Sequence, residues 1–499
     1  MDKVVGSAAD AVAGMTDGDV LGISGFGVSH GFPTELIAAG AGLGLRDLTI
    51  VCNSLGSTDA HPLLFAQRGQ ARKLIAAFSA RAGRTVQSAA SASSVELEVE
   101  LVPQGILVER LRAAGAGMGP FYSPVGADTE LAHGKERRRF GSDNPHNQLR
   151  QGQPSPDNQL SPDSQNNQPR QDNQPSRDSQ NSQHSQLSRD FVLEYPLHLD
   201  VAFIYAAVAD RSGNLGFRGT SENFGPSFAK GAKLVIAQVD EIVETGEISL
   251  EDIDLPGIFV DRVVRSRSPR IPTWSPARGQ DRRRYGERFG LTPGEMGARI
   301  AALLPRSGYV NLGVGLPTQV SDHLQGRDIT LHGENGVLGY TDRLSAEAAD
   351  PDAFNAGGEP VRLSPGASVF DSVEAFEMAR GGHLSAVVLG AFEVDSTGSF
   401  ANWTTPEMGG GALGGAMDLL VNPGKLIIAM RHTERSGRPK VVTAVHYPVT
   451  GTNCVDLVVT DIAVIERDAG GLVLRETAAG FTVDDVVART EARLRVDLW

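Results

Sequence analysis

Gly308-Tyr309-Val310-Asn311-Leu312-Gly313-Val314-Gly315, closed by Pro317, repeats in outline a stretch near the start of the chain. That stretch is Gly18-Asp19-Val20-Leu21-Gly22-Ile23-Ser24-Gly25-Phe26-Gly27, closed by Pro33. Each reads as a short apolar strand, a Gly-x-Gly turn and a helix opened by proline. One such turn recurs by chance in α/β proteins, but two more echoes follow in the same order. Arg46-Asp47-Leu48-Thr49-Ile50 returns as Arg327-Asp328-Ile329-Thr330-Leu331, and Gly231-Ala232-Lys233-Leu234-Val235-Ile236-Ala237 as Gly424-Lys425-Leu426-Ile427-Ile428-Ala429. The shared order predicts an α/β protein of two homologous units with mostly parallel sheets. Ligands of such sheets bind beyond the strand carboxyl ends, which places the active site between the halves.

The first unit is expected over 1–265 and the second over 289–499. Residues from about 142 to 186 are dominated by Gln, Asn, Ser, Asp and Pro, and the pattern of 157–166 recurs at 172–181. Such a segment cannot bury enough surface to offset its ordering entropy, so it is expected to be a disordered surface insertion, with a partner-binding tail the lesser reading. Residues 266–288, rich in Arg, Pro and Ser, fit a solvated linker better than an anion-binding patch.

A chain of 499 residues is long enough for several cores, and 40% hydrophobic residues with 58 glycines suit a loop-rich α/β protein. The net charge of -14 argues against a nucleic-acid partner. Cys52 and Cys454 lack CxxC or His-rich neighbours, so neither a disulfide framework nor a metal site is expected. With no basic leader and no apolar run of membrane length, the reading is a cytoplasmic protein without a membrane partner.

The chemistry concentrates in Leu331-His332-Gly333-Glu334-Asn335-Gly336-Val337. An acid here ends an apolar strand, between two glycines that remove the bulk that would keep a ligand away. Glu334 is therefore the candidate nucleophile, against the plainer reading of a solvated glutamate capping the next helix. In the internal alignment Asn53 falls opposite it.

These residues resemble the signature of the family I coenzyme A transferases in their fused two-subunit form, where a Ser-Glu-Asn-Gly turn supplies the nucleophile. Gly333 stands at the Ser position, while Glu334-Asn335-Gly336 is intact. The resemblance runs along nearly the whole chain. It implies a fold shared with sugar-phosphate isomerases and transfer of CoA from an acyl-CoA to a free carboxylic acid, with coenzyme A entering as substrate and no metal or redox cofactor. A carboxylate suits this role, because it is ionised at neutral pH and forms a reactive anhydride.

By the same resemblance, Asn53 and the backbone of Gly415 are oxyanion donors. The alternatives are an Asn bonding its own turn and a glycine serving a tight packing turn. Gly25, Phe26 and Gly27 correspond to a loop bordering the acyl-CoA site. Gln104 corresponds to a glutamine facing the acid, unless it is an ordinary polar turn residue. Gly313, Gly315 and Asn402 complete the binding set, and the turn at Gly381-Gly382-His383 matches a family position that can be purely structural. Lysines that many relatives carry after the Asn-Trp pair are missing from Pro406-Glu407-Met408-Gly409-Gly410-Gly411. Arg218 or Lys425 are candidates to compensate. Relatives fused in this order imply succinyl-CoA and a short 3-oxoacid as substrates, with 3-oxoadipate as an alternative acceptor, and a homodimer. Gly333 could also loosen the site and admit water, giving an acyl-CoA hydrolase.

Overall fold

A computed structural model describes residues 1–27, 30–56, 60–81, 84–85, 96–140, 189–267 and 281–499. The insertion expected at 142–186 and residues 268–280 of the expected linker lie outside the described residues.

Two large sheets organise the chain. In space the first runs Arg262–Arg265, Ala232–Val243, Leu199–Asp210, Val20–Ile23, Leu48–Cys52, Ala71–Ala76 and Glu98–Leu101, every neighbouring pair parallel. The second has a parallel centre of Leu457–Thr460, Leu426–Met430, Ala386–Gly390, Ser307–Leu312 and Asp328–Gly333. Those strands repeat the order and direction of the first sheet from Arg262–Arg265 to Leu48–Cys52. All three sequence echoes fall on equivalent strands. The central strands are continuous apolar runs because helices and loops cover both faces; every residue of Leu48–Cys52 and Leu426–Met430 is buried.

The halves diverge outward from Leu48–Cys52 and its counterpart. The first sheet continues in parallel, whereas Asp328–Gly333 turns back through a hairpin into antiparallel Val337–Arg343 and then Val361–Val369. Glu334 therefore caps no helix. On the other flank Ala463–Asp468 and Gly471–Thr477 are also antiparallel, so the second sheet is mixed at both edges. Proline also acts differently in the two copies: Pro33 precedes the α-helix Thr34–Gly42, while Pro317 sits inside the 3₁₀ stretch Leu316–His323.

The apolar core on one face of the first sheet is shared by both halves. Ile106, Leu107 and Leu111 of helix Gln104–Gly115 pack in one cluster with Phe354, Phe376, Trp403, Leu413 and Met417 of the second half. The helix Ser372–Arg380 enters this seam with its first turn fixed by Asp371, which accepts the N–H groups of Val373 and Glu374.

Part of the expected linker is structured. Arg284–Tyr285 and Arg288–Phe289 pair as a small hairpin on the second half. Tyr285 is buried there, its hydroxyl 3.0 Å from Asp461 Oδ1. An aromatic inside an Arg-rich run was the overlooked sign that this piece docks.

Candidate active site

Both sheets present their functional loops at strand carboxyl ends. The loop after Val20–Ile23 holds Gly25, Phe26 and Gly27; Leu48–Cys52 leads to Asn53; Glu98–Leu101 leads to Gln104. In the second half, Ser307–Leu312 leads to Gly313 and Gly315, Asp328–Gly333 to Glu334, and Ala386–Gly390 to the backbone that holds Asn402.

Glu334 is only 5% exposed. Burial pushes its carboxyl above the ordinary range, while its own backbone N–H and the amide of Asn311 oppose the rise. Asn311 Nδ2 lies 3.3 Å from Glu334 Oε2 and 3.1 Å from His332 Nδ1. Burial drops the His332 imidazole to about 4, so it is neutral at physiological pH. Its Nδ1 accepts from Asn311, which leaves Nε2 to donate to the carbonyl of Ala375 at 3.2 Å. Strand register places Asn311 opposite His332 as it places Gly22 opposite Val51 in the other half. The pair is thus a polar replacement within a duplicated apolar motif.

The turn after Glu334 is fixed from outside. Asn335 Nδ2 donates to Phe354 O at 2.7 Å, and the Phe354 ring stacks on His30 with centroids 3.7 Å apart, so the Glu334 turn is tied to the first half. Gly336 has φ +99°, and a Cβ there would stand 2.0 Å from Phe370 O. Gly336→Ala is expected to lower stability by about 1–3 kcal/mol through overpacking and backbone strain, read as a fall in Tm together with lost activity.

Asn53 is fully buried. Its Oδ1 accepts from Gln104 Nε2 at 2.8 Å and its Nδ2 donates to Ser54 Oγ at 3.0 Å. Ser54 Oγ also accepts the N–H of Gly27 at 3.2 Å, which joins this loop to the Gly25-Phe26-Gly27 loop. Gln104 N donates to Gly414 O at 3.0 Å. Its Oε1 lies 3.2 Å from where a Cβ on Gly415 would stand and has no hydrogen-bond partner among the described residues. Asn53, Gln104 and Gly415 thus form one group, and Asn311, His332 and Glu334 another. Helix Ser372–Arg380 touches both: Ala375 holds His332, and the ring of Phe376 lies 2.9 Å from the Cβ position of Gly415.

Other expected residues are held by the packing around them. Phe26 is buried against Phe224 and Phe354. Gly25, at φ +135°, lies flat under the ring of Phe32. Asn402 is bound in both directions, donating to Gly390 O at 3.2 Å and accepting from Thr450 Oγ1 at 2.8 Å. Gly381 closes helix Ser372–Arg380, so that glycine turn is a helix end. Lys425 precedes Leu426–Met430 and lies at the amino edge of the sheet, opposite the site, which removes it as a replacement for the missing lysines. Gly333 does not loosen the turn: its Cβ position is 2.6 Å from Asn335 Oδ1 and 2.9 Å from Val337 Cγ1.

A buried carboxylate at the carboxyl end of a parallel strand, in a chain built on two such sheets, has the architecture of an acyl-CoA transferase. The solved acyl-CoA transferase YdiF from E. coli O157:H7 shares this fold over 100% of the chain and 95% of its own length, with a TM-score of 0.73 at 18% identity. The coenzyme A transferase family model matches residues 5–266 and 295–489, and the chain belongs to that family. It is 33% identical over 498 residues to succinyl-CoA:3-ketoacid coenzyme A transferase 2B, mitochondrial, from Mus musculus, across 97% of this chain and 88% of the relative. One of the subunits of the 3-oxoadipate CoA-transferase of Pseudomonas putida is 38% identical over 53% of this chain and 94% of its own length. The expectation of a cytoplasmic protein is corrected here: the rodent and human relatives of the first kind are mitochondrial, so composition and the first residues did not establish a compartment.

Proposed function

We propose that the protein moves coenzyme A from succinyl-CoA to a short 3-oxoacid such as acetoacetate, through a glutamyl-CoA thioester on Glu334. The carrying observation is a buried carboxylate, raised in basicity by its surroundings, at the carboxyl edge of a sheet and held by Asn311. The Glu334 carboxylate attacks the thioester carbonyl and expels CoA thiolate, leaving an acyl-glutamyl anhydride. The thiolate then attacks the glutamyl carbonyl and releases the donor's carboxylate. The acceptor carboxylate reverses both steps and leaves with CoA, and Glu334 is regenerated.

Each addition creates an oxyanion, for which the second amide hydrogen of Asn53 and the N–H of Gly415 are the donors in this reading. Gln104 faces the acid with the Nε2 hydrogen that Asn53 does not take. The Gly25-Phe26-Gly27 and Gly313-Val314-Gly315 loops and Asn402 shape the walls for CoA. No metal or redox cofactor takes part, because every step is acyl transfer between oxygen and sulfur nucleophiles. The 3-oxoadipate reaction uses the same steps with a longer acceptor. The tight packing at Gly333 gives hydrolysis no support.

The test is incubation with succinyl-CoA followed by peptide mass spectrometry. CoA is expected on the peptide containing Glu334, and acetoacetate should discharge it as acetoacetyl-CoA. Steady release of free CoA without an acceptor, or an adduct on another residue, would overturn the reading.

A further inference from the structure

One buried ionic cluster takes no part in the steps above. Asp418 belongs to the short helix Ala416–Leu419 that begins at Gly415, and its side chain has no exposed surface. Its Oδ2 accepts the N–H of Gly105 at 3.0 Å, the residue next to Gln104, and its Oδ1 lies 3.2 Å from Arg380 Nη1. Arg380 also pairs with Glu109 on the helix that starts at Gln104, and Arg112 holds Glu109 from its other side at 2.6 Å. Glycine makes this approach available: a Cβ at Gly105 would stand 2.1 Å from Asp418 Oδ1 and 2.6 Å from Arg380 Nη1. The cluster therefore bolts together three elements, namely the helix carrying Gln104, the helix carrying Ala375 and Phe376, and the helix opened by Gly415.

Buried ion pairs are poor sources of stability, because desolvation offsets their attraction, and apolar replacements are often as stable. A cluster placed between Gln104 and Gly415 calls for a different account. We infer that Asp418 is a positioning residue for the transfer reaction, holding Gly105 and Arg380 so that the Gln104 amide and the Gly415 N–H converge on the substrate. The inference rests on the roles proposed above for Gln104 and Gly415. The groups facing Asp418 are Arg380, the Gly105 N–H and Glu109. Burial and the Glu109 charge raise its carboxyl to about 6, against Arg380 and Gly105, so the charge that grips Arg380 is lost on mild acidification.

Asp418→Asn keeps the shape and the acceptor for Gly105 but removes the charge, and Arg380 retains Glu109. Near neutral pH, kcat/KM is expected to fall about 10–100-fold, the scale of a small misplacement of reacting groups. The acid limb of the kcat/KM profile should drop from about two ionisations, Glu334 and Asp418, to about one. Tm should hold or rise, since a buried charge is gone; a merely structural role would lower Tm and leave the pH profile of the folded enzyme alone. Arg380→Lys keeps a cation but loses the bridge, and should lose activity on the same scale with the acid limb intact. It carries the test if the Asn variant fails to fold. Wild-type kcat/KM and pH profile in the folded variants would overturn the inference. Absence of the CoA adduct from the wild-type enzyme would instead strike the reading of Glu334, and this inference with it.

Discussion

Glu334→Gln abolishes transfer and leaves the fold at least as stable. The amide is close in shape and can still meet Asn311, but it cannot attack a thioester, so kcat is expected to fall by about 10⁴-fold or more, as for loss of other covalent nucleophiles. The CoA adduct on residue 334 should vanish with it. Stability moves the other way, and its sign follows from titration. Burial raises the folded-state carboxyl above its ordinary value of 4.5. Its neutral form is thus favoured by the fold, and the associated stability is present below that value and is lost as pH rises through the folded value. The Gln variant lacks this loss, so its Tm at neutral pH should equal or exceed that of wild type. Activity has the opposite dependence, since only the carboxylate attacks, and its acid limb should lie above the ordinary carboxylate range. A variant with lowered Tm and partial activity would mean that Glu334 is a structural acid.

The same opposition marks what could be read from sequence. Glu334 stood out because an acid at the end of an apolar strand between glycines has no packing role to explain it. The duplicated sheets were legible because the Gly-x-Gly strands recur in order, and a parallel centre needs runs such as Leu48–Cys52 and Leu426–Met430 that are apolar on both faces. Asn311 and His332 were passed over as members of those runs, although polar residues in strands buried on both sides are themselves a signal. The hairpin after Glu334 was less legible, since the Asn335-Gly336 turn leads as readily to a helix as to a returning strand until Phe354 and Phe370 are in place. Asp418 and Arg380 were out of reach. The bond from Gly105 to Asp418 spans 313 positions, and no local pattern encodes it. Docking of Tyr285 on Asp461, 176 positions away, was hidden for the same reason.

Asn53→Ala separates oxyanion stabilisation from substrate binding. Asn53 is spent on one side: Oδ1 takes the Gln104 amide and one Nδ2 hydrogen goes to Ser54 Oγ, leaving a single hydrogen for a developing charge. Loss of one such donor in a buried site costs about 10²–10³ in kcat, or roughly 2.7–4 kcal/mol of transition-state stabilisation. KM for acyl-CoA should change little, because the donor acts chiefly once the carbonyl has become tetrahedral. The truncation also strands Gln104 Nε2, a buried donor whose loss of a partner costs about 1–3 kcal/mol of stability. A fall in Tm is therefore expected alongside the fall in kcat, and the two must be told apart. Asn53→Asp does so: it is isosteric and keeps the acceptor for Gln104 Nε2, yet it has no N–H to present to the oxyanion. Recovery of Tm without recovery of kcat would assign the donor role to the Asn53 amide. Recovery of both would reduce Asn53 to a support for Gln104, and the oxyanion would then rest on the Gly415 N–H alone.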